Sequence, residues 1–210
     1  MNIKQGMLNK KINYIHKFFL CLIGFGVLWS SCEEPAIAPK PRGYPKVVFP
    51  QKNYQNFQEG YCQFTFEFPK YADVKQDEDF FDDKPNNPCW FDLIIQDFDA
   101  RIHFTYTPLG KTFNLDKLKT DAFTMVEKHN IKAKYIEEIP VKNQYGASGF
   151  LFNLEGEAAS PCQFYLTDST QHSVRGSLYF NTQARPDSLA PITNFLKKDI
   201  DHIIGSLKWK

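Results

Sequence analysis

No hydrophobic run in this 210-residue sequence is longer than twelve residues, and the first 31 residues contain no acid. Nowhere does a C-x-x-C pair, a Cys/His cluster at zinc spacing or a G-x-S-x-G elbow occur. A zinc site and a serine-hydrolase nucleophile therefore lack their usual local signatures, and no metal or catalytic residue is assigned. A twelve-residue helix covers about 18 Å, short of the roughly 30 Å hydrocarbon core, so the run 18–29 is not expected to remain as a membrane span.

What is present at the N-terminus explains that run. Lys4, Lys10, Lys11 and Lys17 precede the apolar stretch FFLCLIGFGVLW, and LWSSC follows it. A charged start, a short apolar centre and a small-residue pair form a secretory signal. Because the small pair abuts a cysteine, residues 1–31 read as a lipoprotein signal peptide that is removed. Cys32 then becomes the lipidated N-terminus, carrying palmitate or a similar acyl chain. Loss of those four lysines leaves 21 cations against 24 acids, a net charge of −3. No basic excess remains to neutralise phosphates, which argues against nucleic acid as a partner.

Segment 32–50 carries Pro35, Pro39, Pro41, Pro45 and Pro50. It reads as an extended tether that holds one globular domain, 51–210, off a membrane. Five cysteines are present, of which Cys21 leaves with the signal and Cys32 takes lipid. Cys62, Cys89 and Cys162 remain, so one disulfide and one buried thiol are expected, with three connectivities open.

Within the domain, Cys62, Phe64, Phe66 and Phe68 share one face of a strand, while Gln63, Thr65 and Glu67 share the other. Apolar or alternating runs predict further strands over 90–95, 100–106, 134–141, 147–154, 162–167 and 174–180. Asn114 is positioned to cap a helix running to about Asn130. A long apolar stripe from Leu189 to Leu207 predicts a terminal helix, capped by Asp187 or Ser188 with Pro191 in its first turn. This order indicates an α+β fold: a twisted, mostly antiparallel sheet of about six strands with helices packed on it.

Candidate chemistry is sparse. Asp77, Glu78, Asp79, Asp82 and Asp83 crowd the loop 71–88, but the calcium-loop glycine and terminal glutamate are missing. Asp168, Ser169 and His172 stand close together, and a hairpin turn accounts for the first two without catalysis. The 33 aromatic residues include Tyr61, Tyr165 and Tyr179, opposite the core-facing positions of their strands. That face is either open for binding or covered by helices. DST at Asp168 and DSL at Asp187 are short matches to a bacterial O-glycosylation acceptor, at Ser169 and Ser188.

The segments PKPRGYPKV, YCQFTFEFPKYA, PCWFDLIIQDFDARIHFTYTPL and LTDSTQHSVRGSLYFNTQARPDSLAPITNFLKKDIDHIIGSLKW resemble the gliding motility lipoprotein GldD family from Pro39 to Trp209. The resemblance implies an envelope lipoprotein required for gliding. Its partners would be other motility or type IX secretion proteins, and no catalytic residue or cofactor transfers. The element order is also similar to the α/β/α sandwich of Mog1 and PsbP, a likeness of topology that informs fold alone. Two functional classes follow. The first is a non-enzymatic assembly component, on the periplasmic side in preference to the cell surface. The second is an envelope glycan-binding or hydrolytic lipoprotein using Arg101, His103 and the acidic loop.

Overall fold

Five strands, an α-helix, four strands, a second α-helix and a last short strand follow one another in a computed structural model that describes residues 46–76, 87–110 and 114–210. The strands are β1 (Tyr54–Phe57), β2 (Phe64–Pro69), β3 (Asp73–Gln76), β4 (Trp90–Ile95) and β5 (Ala100–Pro108), then β6 (Ala133–Lys142), β7 (Ser148–Gly156), β8 (Cys162–Thr167), β9 (His172–Phe180) and β10 (Lys208–Trp209). Helix α1 covers Leu115–Glu127 and α2 covers Pro186–Ser206.

Seven strands form one antiparallel sheet in the order β3-β4-β5-β9-β8-β7-β6, and β1-β2-β10 form a smaller one. The fold class matches the α+β expectation; three further short strands, β1, β3 and β10, join those foreseen, and the strands divide between two sheets. Strands β1, β3 and β10 hold only four, four and two residues. A period-2 pattern has too few repeats to register at that length.

One face of the large sheet is apolar because alternation puts Phe91, Leu93, Ile102, Phe104, Phe164 and Leu178 on the same side. The small sheet and α2 cover this face and supply Phe57, Phe64, Phe66, Leu196, Ile200 and Ile203. Rings run through it in close contact: Phe57 to Phe91 at 4.5 Å, Phe91 to Phe104 at 4.7 Å and Phe66 to Phe104 at 5.3 Å. Gly176 is required at its place in β9, since a Cβ there would lie 2.2 Å from the Phe164 ring. The opposite face receives α1, whose Phe123 and Val126 pack on Phe150, Phe152 and Leu154. Layers therefore run helix, sheet, and small sheet with helix.

The Asn114 side chain caps α1 by accepting from the Lys117 backbone N–H at 2.8 Å. Helix α2 begins earlier than foreseen: Arg185 holds the cap position without a side-chain bond, and Pro186 opens the first turn. A proline's fixed φ suits that place, which leaves Pro191 inside the helix rather than in its first turn. The end of the expected tether also differs. Phe49 stacks on Phe195 at 4.6 Å, so the chain is already docked on the domain before Pro50.

Two covalent or charged links tie the layers. Cys62, just before β2, and Cys89, just before β4, form a disulfide, and Cys162 is the buried free thiol. Burial pushes that thiol up to about 12. On α2, fully buried Asp199 accepts from the Tyr54 hydroxyl at 3.0 Å and from the Tyr71 hydroxyl. The Lys52 ammonium completes the cluster at 2.6 Å from Asp199 and also donates to the Phe195 carbonyl at 2.8 Å.

Three outcomes follow from these links. Replacing Cys62 and Cys89 together by alanine should lower the unfolding free energy by about 3.5 kcal/mol, the value expected for closing a loop of this length, measured by denaturant titration. Asp199→Ala should cost about 3–5 kcal/mol in the same assay, because Lys52 is left without its partner carboxylate. At high pH the sign is set by the tyrosines. Burial, reinforced by Asp199, raises Tyr54 from 10.0 to about 12 and raises Tyr71 further. The folded state therefore keeps protons that the unfolded chain has lost above pH 10, and stability should fall between pH 10 and 12. Lys52, lowered by burial, opposes this with one group against two. A thermal midpoint that stays level across that window would contradict the assignment, and Tyr54→Phe with Tyr71→Phe should flatten the decline.

Candidate functional site

The second face of the large sheet is polar where α1 does not cover it. Alternation places Asp92, Arg101, His103, Thr105, Ser173, Arg175, Ser177 and Tyr179 there. Asp92 and His103 are register partners, and the carboxylate meets His103 Nδ1 at 2.7 Å and Arg101 Nε at 3.9 Å. Arg101 lies 6.0 Å from the Tyr179 ring centre. The polar groups of the glycan-type reading are thus partly bound to one another.

Between this face and α1 runs a cleft of about 670 Å³. Its apolar wall includes Trp90, Leu118, Ala122 and Met125, and its floor includes Thr105, Tyr165, Ser173 and Ser177. Trp90 is held by an Nε1–H donated to the Tyr106 carbonyl at 3.2 Å. Arg175 rises from the floor and donates through Nη2 to Gln163 Oε1 at 2.6 Å, while Nη1 lies against Met125 Sδ. Burial lowers the Arg175 pKa from its usual value, with Tyr179 opposing. Burial, then the charge of Arg175, lowers His129. A second hollow of about 780 Å³ shares Lys128, His129 and Tyr179 with the first and carries Lys132, Lys134, Arg185 and Lys197 along its sides.

The three tyrosines separate. Tyr165 is only 3% exposed, covered by the α1 layer, so it does not belong to an open binding face. Burial raises its pKa, with Thr167 and Ser173 opposing. Tyr179 is half-buried at the cleft edge, and Tyr61 packs against the core. Burial raises Tyr61, with Glu59 adding to it.

Asp168, Ser169 and His172 do form the hairpin between β8 and β9. The Asp168 Oδ1 accepts backbone N–H groups from Thr170, Gln171 and His172 at 2.8–2.9 Å, and Oδ2 accepts the Thr170 hydroxyl at 2.9 Å. Burial alone would raise this carboxyl, but those donors outweigh it and hold it at about 2. Ser169 occupies the left-handed region at φ 67° and its N–H donates to Thr167 Oγ1. His172 Nδ1 meets the Tyr106 hydroxyl at 2.8 Å and its ring stacks on Trp209. The histidine is engaged away from Ser169, and the three residues do not converge on a reacting atom.

Cys32 and the acidic residues Asp77, Glu78, Asp79, Asp82 and Asp83 lie outside the described residues. Among the described residues no group of three or more His, Cys, Asp and Glu side chains is arranged to hold a metal, and no helix is long and apolar enough to cross a membrane. Sequence reasoning passed over Arg175. Its signal is a cation at mid-strand in the apolar context SVRGSL, in register with Thr105 and Tyr165.

Among curated proteins none matches. A solution structure of cyanobacterial PsbP (CyanoP) from Synechocystis sp. PCC 6803 is similar at a TM-score of 0.44 and 11% identity, over 80% of this chain and 98% of that one. The family model described as gliding motility lipoprotein GldD matches residues 34–209, and the chain belongs to that family.

Proposed function

We propose that this protein is a non-enzymatic, lipid-anchored component that assists assembly or operation of the gliding and type IX secretion machinery from the periplasmic side. The observation that carries the reading is the family match over 34–209, which spans the whole described domain. Membership assigns a role in gliding motility and a membrane-anchored place in the cell envelope. The polar groups most suggestive of catalysis, Asp168 and His172, are taken up by turn and packing contacts, which supports a scaffold in preference to a hydrolase. Cys32 supplies the anchor, and the proline-rich segment after it supplies reach.

A second reading, envelope glycan binding, draws on the cleft beside His103 and Trp90, since such sites combine aromatic walls with a few placed polar groups. One experiment separates the two. The protein should co-purify from detergent extracts with motility or secretion proteins, and Cys32→Ala should abolish both membrane retention and gliding. Recovery only as a free monomer, with muropeptide binding intact, would instead favour the glycan reading. Protease treatment of intact cells should leave the domain uncut if it faces the periplasm.

A further inference from the structure

The cleft beneath α1 contains a charge that the described residues do not balance. Arg175 sits at the centre of β9, half-buried, with one donor on the neutral Gln163 amide and another against Met125 sulfur. No ion pair joins it to a carboxylate among the described residues. A guanidinium has five donors in a fixed fork and stays cationic in proteins, and here one amide oxygen and one sulfur meet it, neither of them an anion. Asp199, the other charged group deep in the fold, shows the contrast, being bonded on three sides.

Charge and shape define what fits. At the rim Lys128 and Asp121 carry opposite charges, and burial disfavours the charged form of His129. The His103 ring is tied to Asp92. Among the described residues the Arg175 charge faces an apolar wall of Trp90, Leu118 and Met125 across a volume within the roughly 300–1,000 Å³ typical of small-molecule sites.

We propose that this cleft binds a small organic monocarboxylate, its two oxygens forked on the Arg175 guanidinium and its apolar or aromatic tail against Trp90, Leu118 and Met125. The hydroxyls of Thr105 and Ser177 lie on the same floor beside it, while that of Ser173 engages Tyr165. A phosphate dianion would bring two charges to a cleft that offers one, which selects the carboxylate. The site stands apart from the assembly role: either survives failure of the other, because one is read by ligand binding and the other by motility.

The test uses the full lipidated chain in nanodiscs with phenylacetate as probe, followed by calorimetry and ligand-observed NMR. Benzyl alcohol, 2-phenylethylamine and inorganic phosphate serve as comparators. Phenylacetate should bind saturably, with each comparator at least about tenfold weaker. Arg175→Met should weaken phenylacetate about 10- to 100-fold while the folded-state circular dichroism at 25 °C stays that of the parent, the thermal midpoint falling modestly because the buried Gln163 oxygen loses its donor. Arg175→Lys should fall between, since an ammonium keeps the charge without the fork. Four results overturn the proposal. These are no saturable binding at millimolar phenylacetate, equal binding of the alcohol, tighter binding of phosphate, or affinity unaffected by Arg175→Met. Self-association that Arg175→Met abolishes would assign the cleft to a second copy and overturn it as well.

Discussion

A carboxylate at zero exposure holds the N-terminal end of the domain to its C-terminal helix. Asp199 takes two tyrosine hydroxyls and an ammonium, so its desolvation is met by three charge-assisted or hydroxyl bonds in a fixed geometry. The partners come from two pieces of chain: Lys52 and Tyr54 at the start of β1, and Tyr71 between β2 and β3. The small sheet is short and could not stand alone, since β1 contributes four residues and β10 two. Anchoring its strands to α2 through one buried acid gives that layer a single position over the core. Tyr54 extends the effect by stacking on His202, which in turn meets Glu67 of β2 at 2.7 Å.

Hydrophobic packing supplies the bulk of the driving force, and the polar cluster supplies uniqueness. Five phenylalanines stack across the two sheets, Phe57, Phe64, Phe66, Phe91 and Phe104, and because they are alike in shape, buried area alone does not fix which ring meets which. The disulfide between Cys62 and Cys89 fixes the starts of β2 and β4 relative to each other, and Asp199 fixes the opposite side. Close approaches at Gly149 and Gly176 remove the remaining slack: a Cβ on Gly149 would lie 1.8 Å from the Tyr165 carbonyl oxygen.

Much of this was legible in the residues. The alternation of Phe64, Phe66 and Phe68 and the stripe of Leu196, Ile200 and Ile203 predict which side of each element is buried, and those side chains are buried. The α+β class follows from element order. What the chain does not display locally are features that neighbours impose. Val74 enters β3 because β4 offers an edge, and Trp209 enters β10 because the chain leaving α2 passes β2. The disulfide was open among three pairs because distance in space, not spacing in sequence, decides it. Pro191 suggested a later start for α2, yet Pro186 satisfies the same first-turn preference one turn earlier. Arg175 escaped notice for a related reason: a lone arginine in a strand reads as a surface residue until a helix is seen to roof it.

Comparing the two buried charges separates scaffold from site. Asp199 has every oxygen engaged by groups of its own chain, so its worth is spent inside the fold and nothing is left for a partner. Arg175 is held in place by Gln163, which orients the guanidinium without neutralising it, and by the sulfur of a half-exposed methionine that a ligand can displace. Positions where a fold tolerates an incompletely satisfied polar group are those where local rules yield to function. The large sheet expresses that division in its two faces. The face under α2 is closed by aromatic rings and a disulfide, and the face under α1 is roofed by one helix that buries only Ala122 and Val126 deeply. A helix so lightly seated leaves room beneath it, and that room, in place of any catalytic triad in the β8–β9 hairpin, is where this domain has unspent chemistry.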